Sequence, residues 1–446
     1  MTTFLKYLNP TSYFLKESAG GVQYWVDVEK LEEKERQLID YFDSSGSTYS
    51  KLDGAWQALN RGIICHESSK SLDLSQLGSL SLEEEYRFVR RFFSPVWVVY
   101  CYFLRLVLLK NPFLETRAFL KALKIPRLDL FAKYKRYQSF GSFESTLVKS
   151  RPLVSVIIPT LNRYEYLYDV MRDLEQQDYR NFEVIVVDQS EQYDEGFYDQ
   201  FDLKLNLIQQ KEKALWLARN EAVRRSQGDY LLLYDDDSRV DPDWIRLHMK
   251  CLDYFDVDIS SGVSLSVIGA VVPPDYSYFR WSGQLDTGNV LVRRHVFRKV
   301  GLFDRQFEKQ RMGDCEFGLR CHINGLRNIS NPLAKRTHLK VGTGGLRQMG
   351  SWDAFRPRSL LSPRPIPSVL YLCRQYFGTQ AAILLLLKFV PPSVVPYRFK
   401  RVKYLLLIGY LLAIPLLPLI TIQVLISWVR ATKMLKSGPK ISNIDE

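Results

Sequence analysis

The sequence predicts an α/β protein: a mostly parallel sheet covered by helices over residues 151–347, a helical extension before it and membrane-associated helices after it. Three observations carry this expectation. Between 151 and about 347, short β-branched runs bounded by polar residues alternate with stretches of helical spacing. Those runs are continuously apolar rather than alternating, as strands buried on both faces are. Outside that block the most apolar segments sit among basic residues: 356–446 holds thirteen Lys or Arg against two Asp or Glu, a net of +11.

In chain order, Met1 opens a segment (1–14) with one lysine and no continuous apolar core, so it does not read as a cleaved signal peptide and export is not expected. Residues 1–90 hold helical patches such as 28–42, to which no chemistry attaches. A membrane-proximal helical region fills 91–150. Within it, 92–109 is apolar apart from Ser94, Pro95 and Arg105, and it fits an interfacial helix, a buried helix or a span. In the sheet block the predicted order is strand 154–158, helix 164–176, strand 183–187, strand 205–208, helix 215–226, strand 230–234 and helix 242–255. The region 348–446 is basic and membrane-associated. It contains a short apolar run, 381–390, and then 404–429, which is 26 residues without a charge. That length suits a transmembrane helix, while Pro415 and Pro418 leave a re-entrant hairpin open.

Composition narrows the classes. With 446 residues, 46% hydrophobic and only 20 prolines and 24 glycines, the chain is neither collagen-like nor largely disordered. Six scattered cysteines do not make a disulfide framework, and a reducing compartment is expected. Cys315 and Cys321 with His322 make a poor zinc site. The formal charge of +12 lies almost wholly in the C-terminal region, so its expected partner is an anionic membrane surface and not nucleic acid.

Ligands of open α/β sheets bind at the carboxyl ends of the strands, and three such ends are polar here. They present Pro159, Thr160, Asn162 and Arg163; then Asp188, Gln189 and Ser190; then Asp235, Asp236 and Asp237. Any of these could be a cap or turn. Three adjacent carboxylates after an apolar strand repel one another without a cation, and hard oxygen ligands suit Mg²⁺ or Mn²⁺. On a strand alternate side chains share a face, so Asp235 and Asp237 are expected to converge while Asp236 points away.

At these residues the sequence resembles family 2 of the nucleotide-sugar glycosyltransferases. VSVIIPTLNR (154–163), VIVVDQS (184–190), LARN (217–220) and GDYLLLYDDD (228–237) follow that family's order up to its DxD motif, and TGNVLVRR (287–294) and GDCEFGLRCHINGLR (313–327) are similar to its downstream elements. The resemblance implies a GT-A, Rossmann-like catalytic domain, a nucleotide-sugar donor, Mn²⁺ or Mg²⁺, and an inverting transfer without a covalent intermediate. It implies donor contacts by Pro159, Thr160, Asn162, Arg163, Asp188, Arg219, Asp235 and Asp236, and metal ligation by Asp235 and Asp237 with His338 as a third ligand. Asp314 aligns with the catalytic base. Gly313 replaces the customary Glu and Glu316 the second Asp, so Glu316 is the substitute base. Lys340 and Arg347 flank a glycine-rich segment that could close on a diphosphate.

The membrane segments add an expected lipid-linked saccharide acceptor and a catalytic domain facing the cytoplasm at the inner membrane. Two further enzymes share the resemblance, a polyprenyl-phosphate sugar synthase and a processive polysaccharide synthase; the QxxRW of the latter is missing, since Gln348 is followed by MGSW. A membrane-anchored scaffold that has lost activity is the reading from another class, and Gly313 is the feature that favours it.

Overall fold

The computed structural model describes residues 3–19, 24–41, 46–74, 77–266, 270–341, 354–396, 399 and 402–445. The chain divides into two compact units: Met1–Leu15, Gln23–Tyr134 and Ser351–Gly438 form one, and Lys16–Val22, Lys135–Gly350 and Pro439–Glu446 the other.

The first unit begins with helices α1 (Thr3–Leu8), α2 (Glu33–Arg36), α3 (Thr48–Asn60), α4 (Leu82–Phe92), α5 (Pro95–Val107) and α6 (Pro112–Leu123). The expected helical patch at 28–42 is only a 3₁₀ turn, Val28–Lys30, followed by α2, because Leu31 is extended between them. Helix α4 starts where Ser81 and Glu84 form a reciprocal capping box. The apolar stretch 92–109 becomes α5, which Pro95 starts and which runs 13 residues. At about 1.5 Å per residue this falls short of a hydrocarbon layer of roughly 30 Å. Its mid-segment Arg105 is neutralised by Glu115 of α6 at 2.6 Å.

The second unit carries α7 (Ser139–Ser142), α8 (Thr146–Ser150), β1 (Val154–Thr160), α9 (Tyr164–Glu175), β2 (Phe182–Asp188), β3 (Leu205–Gln209), α10 (Leu215–Arg225), β4 (Tyr230–Tyr234), β5 (Ser238–Val240), α11 (Trp244–Tyr254), β6 (Ile259–Leu265), β7 (Arg280–Trp281), β8 (Asn289–Arg293), α12 (Arg294–Val300), α13 (Gly313–Ile323) and β9 (Asn328–His338). The described strands form one sheet in the order β3-β2-β1-β4-β8-β6-β9-β5, with β7 on β9. Every residue of β1, β2 and β4 is buried, which is what their unbroken apolar runs require.

The expectation of a mostly parallel sheet is met in part. Strands β3, β2, β1 and β4 are parallel and β6 runs parallel to β9, but β4 pairs β8 antiparallel, β8 pairs β6 antiparallel, and β5 and β7 both run antiparallel to β9, so the sheet is mixed. The mixed half escapes a periodicity reading because its strands are short or half-polar: β5 is three residues and β7 two. The tail after 438 closes on this unit, with the Leu302 amide donating to the Ser442 carbonyl and the Lys440 amide to Asp304.

The first unit ends with α14 (Pro367–Phe389), interrupted at Gly378, then α15 (Lys403–Ala413) and α16 (Leu417–Ser437). The uncharged run 404–429 is therefore not one helix. It breaks between Ala413 and Leu417, where Pro415 cannot continue the ladder, and restarts with Pro418 in the first turn of α16. No described helix is long and apolar enough to cross a membrane.

Candidate active site

The register of β1 against β4 pairs Ile157 with Leu233, so three residues further on Thr160 comes level with Asp236. The Thr160 hydroxyl donates to Asp236 Oδ2 at 2.9 Å, and Arg163 Nη1 donates to Asp236 Oδ1 at 2.9 Å and to Asp237 Oδ2 at 3.0 Å. Burial pushes the Asp236 carboxyl up to about 6, against the pull of Arg163. Burial works against the Arg163 charge, but Asp236 and Asp237 hold its pKa above the usual value.

Residues 235–237 are a turn and not a continuation of β4, so side-chain alternation along a strand is not what gathers them. After the turn the chain enters β5, whose antiparallel partner β9 sets His338 opposite Ser238. His338 Nε2 lies 3.1 Å from Asp237 Oδ1. One ligand atom each from Asp235, Asp237 and His338 falls within 4.8 Å of the others, the one such cluster of three among the described residues. Two carboxylates and an imidazole at this spacing fit Mn²⁺ or Mg²⁺.

Asp235 is steered by two buried arginines. Arg219 Nη2 donates to its Oδ1 and Arg336 Nη1 to its Oδ2, both at 2.8 Å. Arg219 also donates to the Thr287 carbonyl and lies over the Trp216 ring. Arg336 is paired with Asp286 at 2.9 Å; burial opposes its charge, and Asp286 and Asp235 outweigh that and hold its pKa above the ordinary range. A Cβ on Gly288 would stand 2.0 Å from Arg336 Nη1 and 2.2 Å from Asp235 Oδ2. Only glycine leaves room for this junction. Sequence reasoning missed Arg336 and Asp286. The available signal was the two-residue spacing of Arg336 and His338, which places both on one face of β9.

On the neighbouring strand, Asp188 is buried. Its Oδ2 accepts from the hydroxyls of Tyr164 at 2.6 Å and Tyr198 at 2.7 Å, and its Oδ1 from the Ser190 amide. Burial, then Asp188 itself, pushes the Tyr164 hydroxyl up to about 12 and that of Tyr198 higher still, so both stay protonated donors. Asn162 is left-handed, a conformation Asn tolerates. Its side chain accepts from the Glu191 amide while its own amide donates to Ser190, tying the first two strand-end loops together. Pro159 is buried in β1, Lys340 is exposed two residues past His338, and Arg347 lies outside the described residues.

Helix α13 presents the last part of the site. Asp314 stands in its first turn, half-exposed, where the helix dipole favours a carboxylate. Glu316 is fully buried and both its oxygens are held by Arg320, at 2.9 and 3.0 Å. The Asn220 side chain donates to the Phe303 carbonyl and accepts from its amide, and Phe303 packs on Phe317 of α13.

Gly313 has a local cause: a Cβ there would lie 2.4 Å from the Trp216 ring, which is buried and anchored through Nε1 to the Phe307 carbonyl. Trp216 therefore joins the start of α13 to Arg219 and through it to Asp235. Gly313→Glu, which installs the residue that the resemblance implies at this position, is expected to destabilise the protein by about 1–3 kcal/mol through overpacking and not to raise activity. Thermal unfolding and turnover measured together check this.

A mixed sheet of this order, with carboxylates and a histidine near its strand ends and an acid in the first turn of α13, is the arrangement that the resemblance to GT-A glycosyltransferases implies. Residues 155–318 match the family model "Glycosyl transferase family 2", so the chain carries a family 2 glycosyltransferase domain. The chain is 24% identical to "Glycosyltransferase GlyA" of Streptococcus pneumoniae over 166 residues, covering 36% of this chain and 22% of that one. It is 27% identical to "Poly(ribitol-phosphate) beta-N-acetylglucosaminyltransferase TarS" of Staphylococcus aureus over 126 residues, covering 27% and 22%. Among solved structures, the mannosyltransferase PcManGT of Pyrobaculum calidifontis, in complex with GDP-Man and Mn²⁺, superposes with a TM-score of 0.40 at 17% identity over 66% of this chain and 91% of that one. The alignments thus span about a fifth of the length of those two curated relatives.

Proposed function

We propose that this protein transfers a single sugar, with inversion, from a nucleotide-sugar donor to a hydroxyl of a lipid-linked saccharide in surface polysaccharide biosynthesis, with Mn²⁺ or Mg²⁺ as cofactor. The convergence of Asp235, Asp237 and His338 carries the reading. The relatives' printed activities support the sugar-transfer class, TarS being described as an N-acetylglucosaminyltransferase.

The ion, when bound, offsets the charge that gathers on the departing diphosphate. The chain's own groups do the rest. Arg219 and Arg336 orient Asp235, Arg163 fixes Asp236 and Asp237, and Asp188 with its two tyrosine hydroxyls offers a hydrogen-bonding wall to the nucleobase. Lys340, exposed two residues past His338, contributes its charge to diphosphate binding. Asp314 takes the proton from the attacking hydroxyl. Glu316, locked to Arg320, is the weaker candidate for that role. A phosphate acceptor needs no such base, which favours a hydroxyl over a polyprenyl phosphate. We place the domain at the cytoplasmic face of the inner membrane, where nucleotide sugars and lipid-linked acceptors meet.

The test is nucleotide release from a panel of nucleotide sugars, with extracted lipid-linked acceptors present. One donor is expected to be turned over with Mn²⁺ or Mg²⁺ and to lose turnover when a chelator is added. No release from any donor would leave the scaffold reading standing.

A further inference from the structure

We propose that the α5–α6 hairpin is a membrane-docking element that inserts its tip into the interface of an anionic lipid leaflet. Both helices are too short to cross, and the tip where they meet opens apolar side chains to water: Leu109 of the turn is 92% exposed, and Phe113 and Val107 at the adjoining helix ends 84% and 72%. Leu109 also has a left-handed backbone (φ 55°), where Gly or Asn would sit without strain. A branched apolar side chain there is disfavoured by both solvent and backbone, and burial in lipid removes the first penalty.

Charge selects the occupant. Lys110, Arg117, Lys124 and Arg127 are exposed on this hairpin and just after it, and Lys121 is exposed but paired with Glu83 of α4 at 2.5 Å, while the hairpin's own one acid, Glu115, is buried and paired with Arg105. Along α6, Phe113, Arg117, Leu120, Lys121 and Lys124 recur at three- and four-residue intervals and line one open groove. That stripe sets rings and leucines against acyl chains while long cationic stems reach up to phosphates. Helix α15 packs against α5 in the same unit, Tyr410 meeting the buried Tyr100 ring to ring, and the break before α16 also exposes Ile414, Leu416 and Leu417.

The proposal does not rest on the transfer reaction, because binding is read without a donor; either reading can fail alone. The full chain is expected to float with phosphatidylcholine vesicles carrying about 30 mol% phosphatidylglycerol and to bind pure phosphatidylcholine far more weakly. L109D/F113D is expected to weaken binding at least about tenfold. R117Q/K121Q/K124Q is expected to weaken binding to anionic vesicles by about as much and to leave binding to neutral ones unchanged. All the substituted side chains are exposed, and circular dichroism checks the fold; if L109D/F113D fails to fold, the charge variant carries the test. Wild-type protein that ignores anionic vesicles, or a charge variant that binds them as the wild type does, overturns the proposal. So does an L109D/F113D variant that turns a lipid-free dimer into a monomer, which would make a second copy the occupant.

Discussion

Asp237→Ala is expected to cut donor turnover by about 10³-fold or more and to remove donor and Mn²⁺ binding with it. The size follows from what that carboxylate holds. Oδ1 faces His338 at 3.1 Å and Oδ2 accepts from Arg163 at 3.0 Å. Removing it deletes one of three convergent ligand residues and takes one carboxylate from Arg163, which keeps Asp236 and the Val341 carbonyl. The remaining cation then faces the diphosphate without a metal beside it, in a cluster built to balance one. Because Asp236 and Thr160 still tie the turn to β1, the fold is expected to survive, with unfolding within a few degrees of the wild type. Calorimetric titration with Mn²⁺ and then with donor, beside a melting curve, separates loss of the ion from loss of the protein. Wild-type turnover in Asp237→Ala would remove the metal site from the mechanism.

How much of this was legible in the sequence depends on whether the signal was local. The strands β1, β2 and β4 and the helices α9, α10 and α11 fall within a few residues of their predicted positions, because continuous apolar runs and helical spacing are written along the chain. The acidic turn and His338 were legible too, the latter through the resemblance. Arg336, Asp286 and Trp216 were not. Arg336 reaches Asp235 only because β9 returns beside β5, a pairing across a hundred positions of chain. The place of Gly313 was legible but its reason was not, since a tryptophan from α10 fills the space. The run 404–429 shows the converse: its composition describes a span, and two prolines divide it.

Asp314→Ala should divide binding from chemistry. Asp314 stands in the first turn of α13, and the clusters proposed to hold the donor sit on or just after β1, β2, β4, β9 and α10. Because Asp314 sits on a different element from those clusters, donor affinity is expected to stay within about twofold while transfer falls by about 10²–10⁴, the range a general base supplies. Loss of a half-exposed carboxylate near a helix N-terminus costs stability by only about 0.3–1 kcal/mol, too little to account for such a fall. The companion Glu316→Gln should behave oppositely. It breaks a buried ion pair that holds Arg320, so it should lower the melting temperature and reduce activity only in step with folded protein. Transfer that persists in Asp314→Ala and vanishes in folded Glu316→Gln would move the base one helical position pair along α13 and require Arg320 to release it in the acceptor complex.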